Sequence, residues 1–390
     1  MKKIYIYLLT CLVWTAQAQN NITEIVESIK QNNPTLNALR EKVEADKIGN
    51  KTGINLANPE VEVGYLWGNP SAIGSRKDLS VTQSFDFPTA YRYKSQLSKS
   101  QNRQVDIAYM EQENMILKQA RELCVELVYR NRMNTELAKR YHHTKELLES
   151  YGKLFEKGEV NIIEYNKVKL DFLKAEKVLE INKVEKSTYE AELNRLSGEQ
   201  FVNIDITEYE NYLLPSDFDT WLAMVKEKKP ALLYMRQDIE ISRKQEQLTK
   251  AMNLPKFTAG YTSERIPGET FQGVSVGISI PLWENRNTLK HRKAQTIALQ
   301  TIQADTEQQY AVSMRSLYEK TRKLSNLLND YKEVLASSNS EELLKKAFDK
   351  GQLSLVNYLL ELSSFYDATD QYFETEREYQ LFVVELQSQE

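Results

Sequence analysis

Residues 155–165, FEKGEVNIIEY, return as residues 348–358, FDKGQLSLVNY, 193 positions later. Seven of the eleven positions are identical or close in type, and Phe, Lys, Gly and the final Tyr are unchanged. A repeat at half the chain length constrains the fold more than any local propensity. Each copy ends one long polar helical run and begins another. Gly158 and Gly351 are expected to close the first helix of each pair in the left-handed conformation that glycine tolerates. The eleven-residue segments then read as the tips of two helical hairpins.

The same duplication extends upstream. Asn33-Pro34 is answered by Lys229-Pro230, and Pro59, Gly64 and Tyr65 by Pro255, Gly260 and Tyr261, each 196 later. Pro88 is answered by Pro281. A helix over about 22–33 precedes a second over 36–57, in which Gly49 and Gly53 are tolerated and which Asn58-Pro59 stops. Strands are expected at about 59–67, 79–87, 255–264 and 273–281, where the apolar period changes to two. Residues 68–77 and 265–272 are read as turns. No Gly or Pro occurs from Thr89 to Tyr151, so a single helix of ~90 Å is expected there. The return helices run over about 162–196 and 355–387, and a short helix begins near Phe218. The expected layout is a signal peptide at 1–18, one repeat at 19–198, a linker at 199–220 and a second repeat at 221–390. Lys2 and Lys3, an apolar run and Ala16-Gln17-Ala18 mark the signal peptide. Cys11 lies within that run. The later part then keeps one cysteine, Cys124, and no internal disulfide.

The formal charge of −4 lacks the basic excess of a nucleic-acid binder. No later segment has the apolar length of a membrane helix. The strands change that picture. Val61, Val63, Tyr65 and Trp67 share one face. Leu79, Val81, Phe85 and Phe87 share another, with Gln83. Phe257, Ala259 and Tyr261, and then Val274, Val276, Ile278 and Ile280, repeat the pattern. Half-burial against helices would account for it; membrane strands with apolar residues outward account for more. Tyr65, Trp67, Phe85, Phe87 and Trp283 are then lipid-interface aromatics, and Glu60, Glu62, Asp86 and Lys256 face the lumen. Four strands cannot close, and open edges cannot sit in lipid. Three copies supply twelve strands, whereas two supply only eight.

With these features in place the chain resembles an outer-membrane efflux protein of the TolC family, and most the heavy-metal branch that serves resistance–nodulation–division pumps. The resemblance is carried by the two Asn/Lys-Pro openings, the strand closures SFDFP (84–88) and ISIPLW (278–283), and the two tips. It spans about residues 20–387. It implies a mainly α fold with membrane β: an internally duplicated protomer forming a trimeric twelve-stranded β-barrel, continued by an α-helical barrel through the periplasm. It implies a homotrimer in outer-membrane lipid, partnered by a periplasmic adaptor and an inner-membrane pump. The tip residues Phe155, Gly158, Ile162, Phe348, Gly351 and Leu355 are the implied docking positions. Asn357, Leu360 and Glu361 are the pore-entrance candidates. Family members often carry aspartates at the first two of these, so an acidic entrance ring is not implied here.

No phosphate loop, HExxH, cysteine pair or nucleophile constellation is present, so neither an enzyme nor a cofactor is expected. His142-His143 cannot converge on one ion from adjacent helix positions and is expected on a solvated face. The remaining methionines form no stripe. An exit duct for small solutes is the expected function, with metal cations favoured as cargo. Multidrug or bile-salt efflux and type I protein secretion use the same architecture. A soluble coiled-coil scaffold is the alternative of a different class.

Overall fold

The computed structural model describes residues 22–200, 205–337 and 340–390. The expected signal peptide and Cys11 lie outside these. The chain opens with α1 (Ile22–Asn32) and α2 (Pro34–Gly49). Asn33 separates them. Its side chain is buried and donates to the Leu196 carbonyl at 2.8 Å, while Pro34 takes the first helical position, where a missing N–H costs nothing. Strands β1 (Glu60–Trp67) and β2 (Ser75–Phe85) lead into α3 (Pro88–Glu156) and α4 (Ile162–Leu196). The second half repeats the order: α5 (Phe218–Lys228), α6 (Pro230–Met252), β3 (Lys256–Ile266), β4 (Glu269–Ser279), α7 (Thr288–Ser337), α8 (Ser340–Asp349) and α9 (Leu355–Gln387). Helix α3 alone holds 69 residues, about 100 Å of rise.

Compact units cut across the duplication. One contains α1, Gln119–Tyr212 and Leu327–Leu381; the other contains Pro34–Lys118, Leu213–Asn326 and Phe382–Glu390. In the first, α3, α4 and α9 meet around Tyr129, Met133, Leu137 and Leu179, with Tyr141 and Phe373 packed on that cluster. Burying such side chains contributes about 1.5–3 kcal/mol each. In the second, Phe218, Trp221 and Val225 of α5 are buried, and the Phe218 ring lies 5.2 Å from that of Tyr318.

The four strands form one antiparallel sheet in the order β1-β2-β3-β4. Val61 pairs with Val81, Val81 with Tyr261, and Tyr261 with Val274. The apolar sets of both halves therefore share one face.

Several boundaries differ from expectation. Helix α2 stops at Gly49 rather than running to Ala57, because Gly53 has φ +71°, a left-handed residue that a helix cannot contain. Strand β2 begins at Ser75 and β4 at Glu269, four residues earlier in each case. Arg76, Lys77 and Asp78 look like turn residues by type, yet they continue the alternation. The second hairpin turns on Pro267-Gly268 alone, with Gly268 at φ +88°. Strands β2 and β4 also end two residues early, so Asp86 and Phe87 lie just past β2, and Ile280 and Trp283 past β4.

Candidate functional site

Two places concentrate the residues singled out in the sequence: the helical hairpin tips and the two faces of the sheet.

Both tips are built alike. After α3, the Glu159 N–H donates to the Leu154 carbonyl at 2.9 Å; after α8, the Gln352 N–H donates to the Ala347 carbonyl at 2.9 Å. These bonds close the Schellman turn around Gly158 and Gly351, whose φ values are +76° and +71°. A Cβ at either glycine would meet nothing within 4 Å, so backbone conformation alone demands glycine. Helix α4 then starts with a capping box: the Glu164 N–H donates to Asn161 Oδ1 at 2.9 Å and the Asn161 N–H to Glu164 Oε2 at 3.3 Å. Ser354 plays the lighter version at α9, accepting from the Asn357 N–H at 3.3 Å.

The repeated aromatics explain themselves here. Phe155 stacks on Tyr165 with centroids 5.1 Å apart and planes 8° apart, and Phe348 on Tyr358 at 4.4 Å and 12°. Each ring pair closes its own hairpin. Leu355 is buried, so its side chain is withdrawn from the tip surface; Ile162, Leu360 and Phe155 are exposed. Asn357 and Glu361 are exposed on α9 with Leu360.

His143 departs from expectation. His142 is exposed and pairs with Glu146 at 3.1 Å, but His143 packs edge-on against Tyr358, its Nε2 2.8 Å from the phenol oxygen. Burial, then the Lys345 ammonium, hold its pKa below the ordinary 6.5. Burial lifts the Tyr358 phenol to about 12. No sequence signal joins residues 215 positions apart.

On the sheet, register parity sorts the side chains. Val61, Val63, Tyr65, Trp67, Leu79, Val81, Phe85, Phe257, Tyr261, Val274, Val276 and Ile278 share the apolar face. Among the described residues little covers it: Val276 is 84% exposed and Trp67 81%. Tyr65 and Trp67 lie 6.4 Å apart at the turn end, and Phe87 and Phe257 6.3 Å apart at the helix end. Trp283 is also exposed. The opposite face carries Glu60, Glu62, Ser80, Thr82, Thr258, Thr262 and Ser275, with Lys256 at the start of β3. Asp86 is held by Lys94 at 2.9 Å and its N–H donates to the Tyr91 hydroxyl at 3.0 Å. Three charges here escaped the sequence because they fell in a stretch read as turn or at a strand end. Arg76 lies 2.8 Å from Asp78 and 3.1 Å from Glu264.

Among the described residues no group of three His, Cys, Asp or Glu is placed to hold a metal ion, and no helix is long and apolar enough to cross a membrane. No protein-family model matches the sequence, and no curated protein matches it either.

Solved structures do match. A membrane protein from Pseudomonas aeruginosa superposes with a TM-score of 0.80 at 13% identity, over 94% of this chain and 89% of that one. CusC, studied for its transmembrane channel formation, gives 0.74 at 12% identity over 95% and 92%. The Campylobacter jejuni CmeC outer membrane channel gives 0.73 at 14% identity over 95% and 85%. The protein therefore has, over nearly its whole length, the protomer fold of solved outer-membrane channels.

Proposed function

We propose that this chain is one third of an outer-membrane exit duct of the TolC type, a passive conduit and not an enzyme. One observation carries the proposal: a four-stranded sheet whose apolar face is largely exposed and whose outer strands, β1 and β4, have no partner on one side among the described residues. In water that face would be a large aggregation hazard. In lipid it is a wall, provided the edges are satisfied, because each unpaired backbone group there costs several kcal/mol. Three copies joined β4 to β1 give a closed barrel of twelve strands with Glu60, Glu62, Asp86 and Lys256 toward water. The α-helices continue the conduit in the periplasm.

The tips are proposed to meet a periplasmic adaptor, itself joined to an inner-membrane pump. The proposed docking positions are Phe155, Gly158, Ile162, Phe348, Gly351 and Leu355; Phe155 and Ile162 are exposed and both glycines open onto free space, while Phe348 stacks on Tyr358 and Leu355 is buried in the single chain. Asn357, Leu360 and Glu361 are proposed to line the entrance. The cargo is a small solute, with metal cations favoured by the heavy-metal resemblance and by the carboxylates of the polar face.

Two experiments test this. In membrane fractionation the protein should stay with membranes through salt and carbonate and need detergent for release; release by carbonate would leave a scaffold. A deletion strain and its complemented control are then grown with copper, silver, zinc, cobalt and cadmium, and with bile salts, dyes and antibiotics. Sensitivity to metals alone is expected. Sensitivity to bile salts or drugs with normal metal tolerance would sink the metal cargo and keep the duct.

A further inference from the structure

We propose that Lys77 and Arg265 form a binding site for a lipid phosphate at the outer rim of the apolar face. The inference rests on the duct proposal, since it needs that face to meet lipid.

Lys77 of β2 and Arg265 of β3 are direct register partners. Such partners have Cα atoms about 5 Å apart, and like charges placed there repel. A sheet normally relieves this with a carboxylate on the same face, and this one does not. Asp78 and Glu264 are register partners on the opposite face, where Arg76 engages both. Glu269 shares that opposite face through its pairing with Ile266. Among the described residues neither Lys77 nor Arg265 has an ion pair, and both are exposed. The cross-strand row reads Tyr65, Lys77, Arg265, Thr270. Lys77 Nζ sits 5.8 Å from the centre of the Tyr65 ring. An aromatic, two cations and a hydroxyl stand side by side, with no carboxylate in the row.

Depth identifies the anion. Lys77 lies eight residues along β2 from Phe85, which pairs with Phe257 at the helix end of the apolar face. That is ~27 Å along the strand, or ~20 Å of height at a tilt of about 40°. An apolar barrel band is ~25 Å tall. With the band starting at Phe85, the cation pair thus stands in its outermost ~5 Å, in the row of Tyr65 and next to that of Trp67, where long side chains reach the headgroups, on the side of the hairpin turns, which the proposed duct places in the outer leaflet. Cations on a lipid-facing wall are costly at the midplane and nearly free at the interface. A guanidinium fork fits two phosphate oxygens, and an ammonium adds a point charge. No comparable pair occupies the helix end of the same face, where Phe85, Phe257 and Ile278 stand. The occupant we assign is the phosphate of an outer-leaflet glycolipid, one site per copy.

Native mass spectrometry of the detergent-purified assembly tests this. Wild type, Lys77→Ser/Arg265→Ser and Lys77→Arg/Arg265→Lys are incubated with lipid A, with phosphatidylcholine, and with inorganic phosphate. Wild type should retain lipid A roughly tenfold or more better than the double-Ser variant, and the charge-keeping variant should stay close to wild type. Added salt should weaken the retention. Should the double-Ser chain fail to assemble, Lys77→Ser alone should show an intermediate loss. Equal retention by wild type and the Ser variants overturns the site. So does inorganic phosphate binding as tightly as lipid A, which would make it a plain anion site. Carbonate extraction of the same membranes separates the two proposals: wild type released by carbonate overturns the duct, whereas wild type retained with unchanged lipid A binding in the Ser variant overturns this site only.

Discussion

His143 Nε2 and the Tyr358 hydroxyl, 2.8 Å apart, make one of the contacts between the first hairpin and the second. In the tautomer that carries its proton on Nδ1, the neutral ring accepts a hydrogen bond from the phenol at Nε2, and protonation of the ring removes that acceptor. Because the folded pKa is depressed below 6.5, the unfolded chain binds the proton first as pH falls. The stabilisation is complete above pH 6.5 and is lost as pH drops through the folded value. Thermal unfolding compared at pH 8 and pH 5 should show a larger loss in wild type than in His143→Gln. Tyr358→Phe keeps the stacked ring and removes the bond, at a cost of about 1 kcal/mol. Gly158 and Gly351 carry a different constraint. Ala at either tip meets no neighbour, yet holds φ near +70°, so each substitution should cost about 1–2 kcal/mol of local strain. Asn, which tolerates that region, should cost less. Hydrogen exchange at residues 152–162 and 345–355 would read both. Cys124 is fully buried and its thiol is pushed up to about 12 by that burial, so cysteines added at the tips can be labelled without interference from it.

At the scale of elements, α3 and α9 are joined by ion pairs along their length: Glu126 with Arg377, Arg132 with Glu376, and Arg140 with Asp370. The last is a two-pronged bond of 2.9 and 2.7 Å, and Arg140 also lies 4.3 Å above the Tyr366 ring. Asp370→Asn leaves the largely buried guanidinium without its counter-charge and should destabilise by about 2–3 kcal/mol, discounted for the partial exposure of Asp370. For the strands, the two faces give opposite expectations at adjacent positions. Val276→Lys should block membrane assembly, by roughly 2–4 kcal/mol per copy, whereas Ser275→Lys should assemble; heat-resistant oligomer on a gel distinguishes them. This difference was legible in the sequence, because a period of two in Val274, Val276 and Ile278 can be counted. The outer halves of the hairpins were not. Arg76, Lys77 and Asp78 have the composition of a turn, and their pairing with Leu66, Tyr65 and Gly64 of β1, joined for Lys77 and Asp78 by Arg265 and Glu264 of β3, holds them extended. The end of α2 at Gly49 was hidden for a similar reason, since one left-handed Gly53 outweighs a helical pattern around it. Leu355 looked like a tip residue by position, and only packing reveals that it faces inward.

For the whole molecule, the polar face sets the traffic. Glu60, Glu62, Asp78 and Glu264 stand against Arg76 and Lys256, and Asp86 is offset by Lys94. In the proposed duct, three copies of that excess negative charge in a low-dielectric tube should favour cations. Reversal potentials in planar bilayers should show it, and Glu60→Gln/Glu62→Gln should weaken it. The unpartnered edges of β1 and β4 have a further consequence, in time and not in space. A newly made chain that is free in water carries two adhesive strand edges and an uncovered apolar sheet, while its helices can already pair their charged and apolar faces. The helical hairpins are thus free to mature early and the sheet is not. In the proposed assembly, insertion into lipid and joining to sister chains must then be a single late event, and a chain that arrives without partners should be a substrate for holding chaperones and proteases.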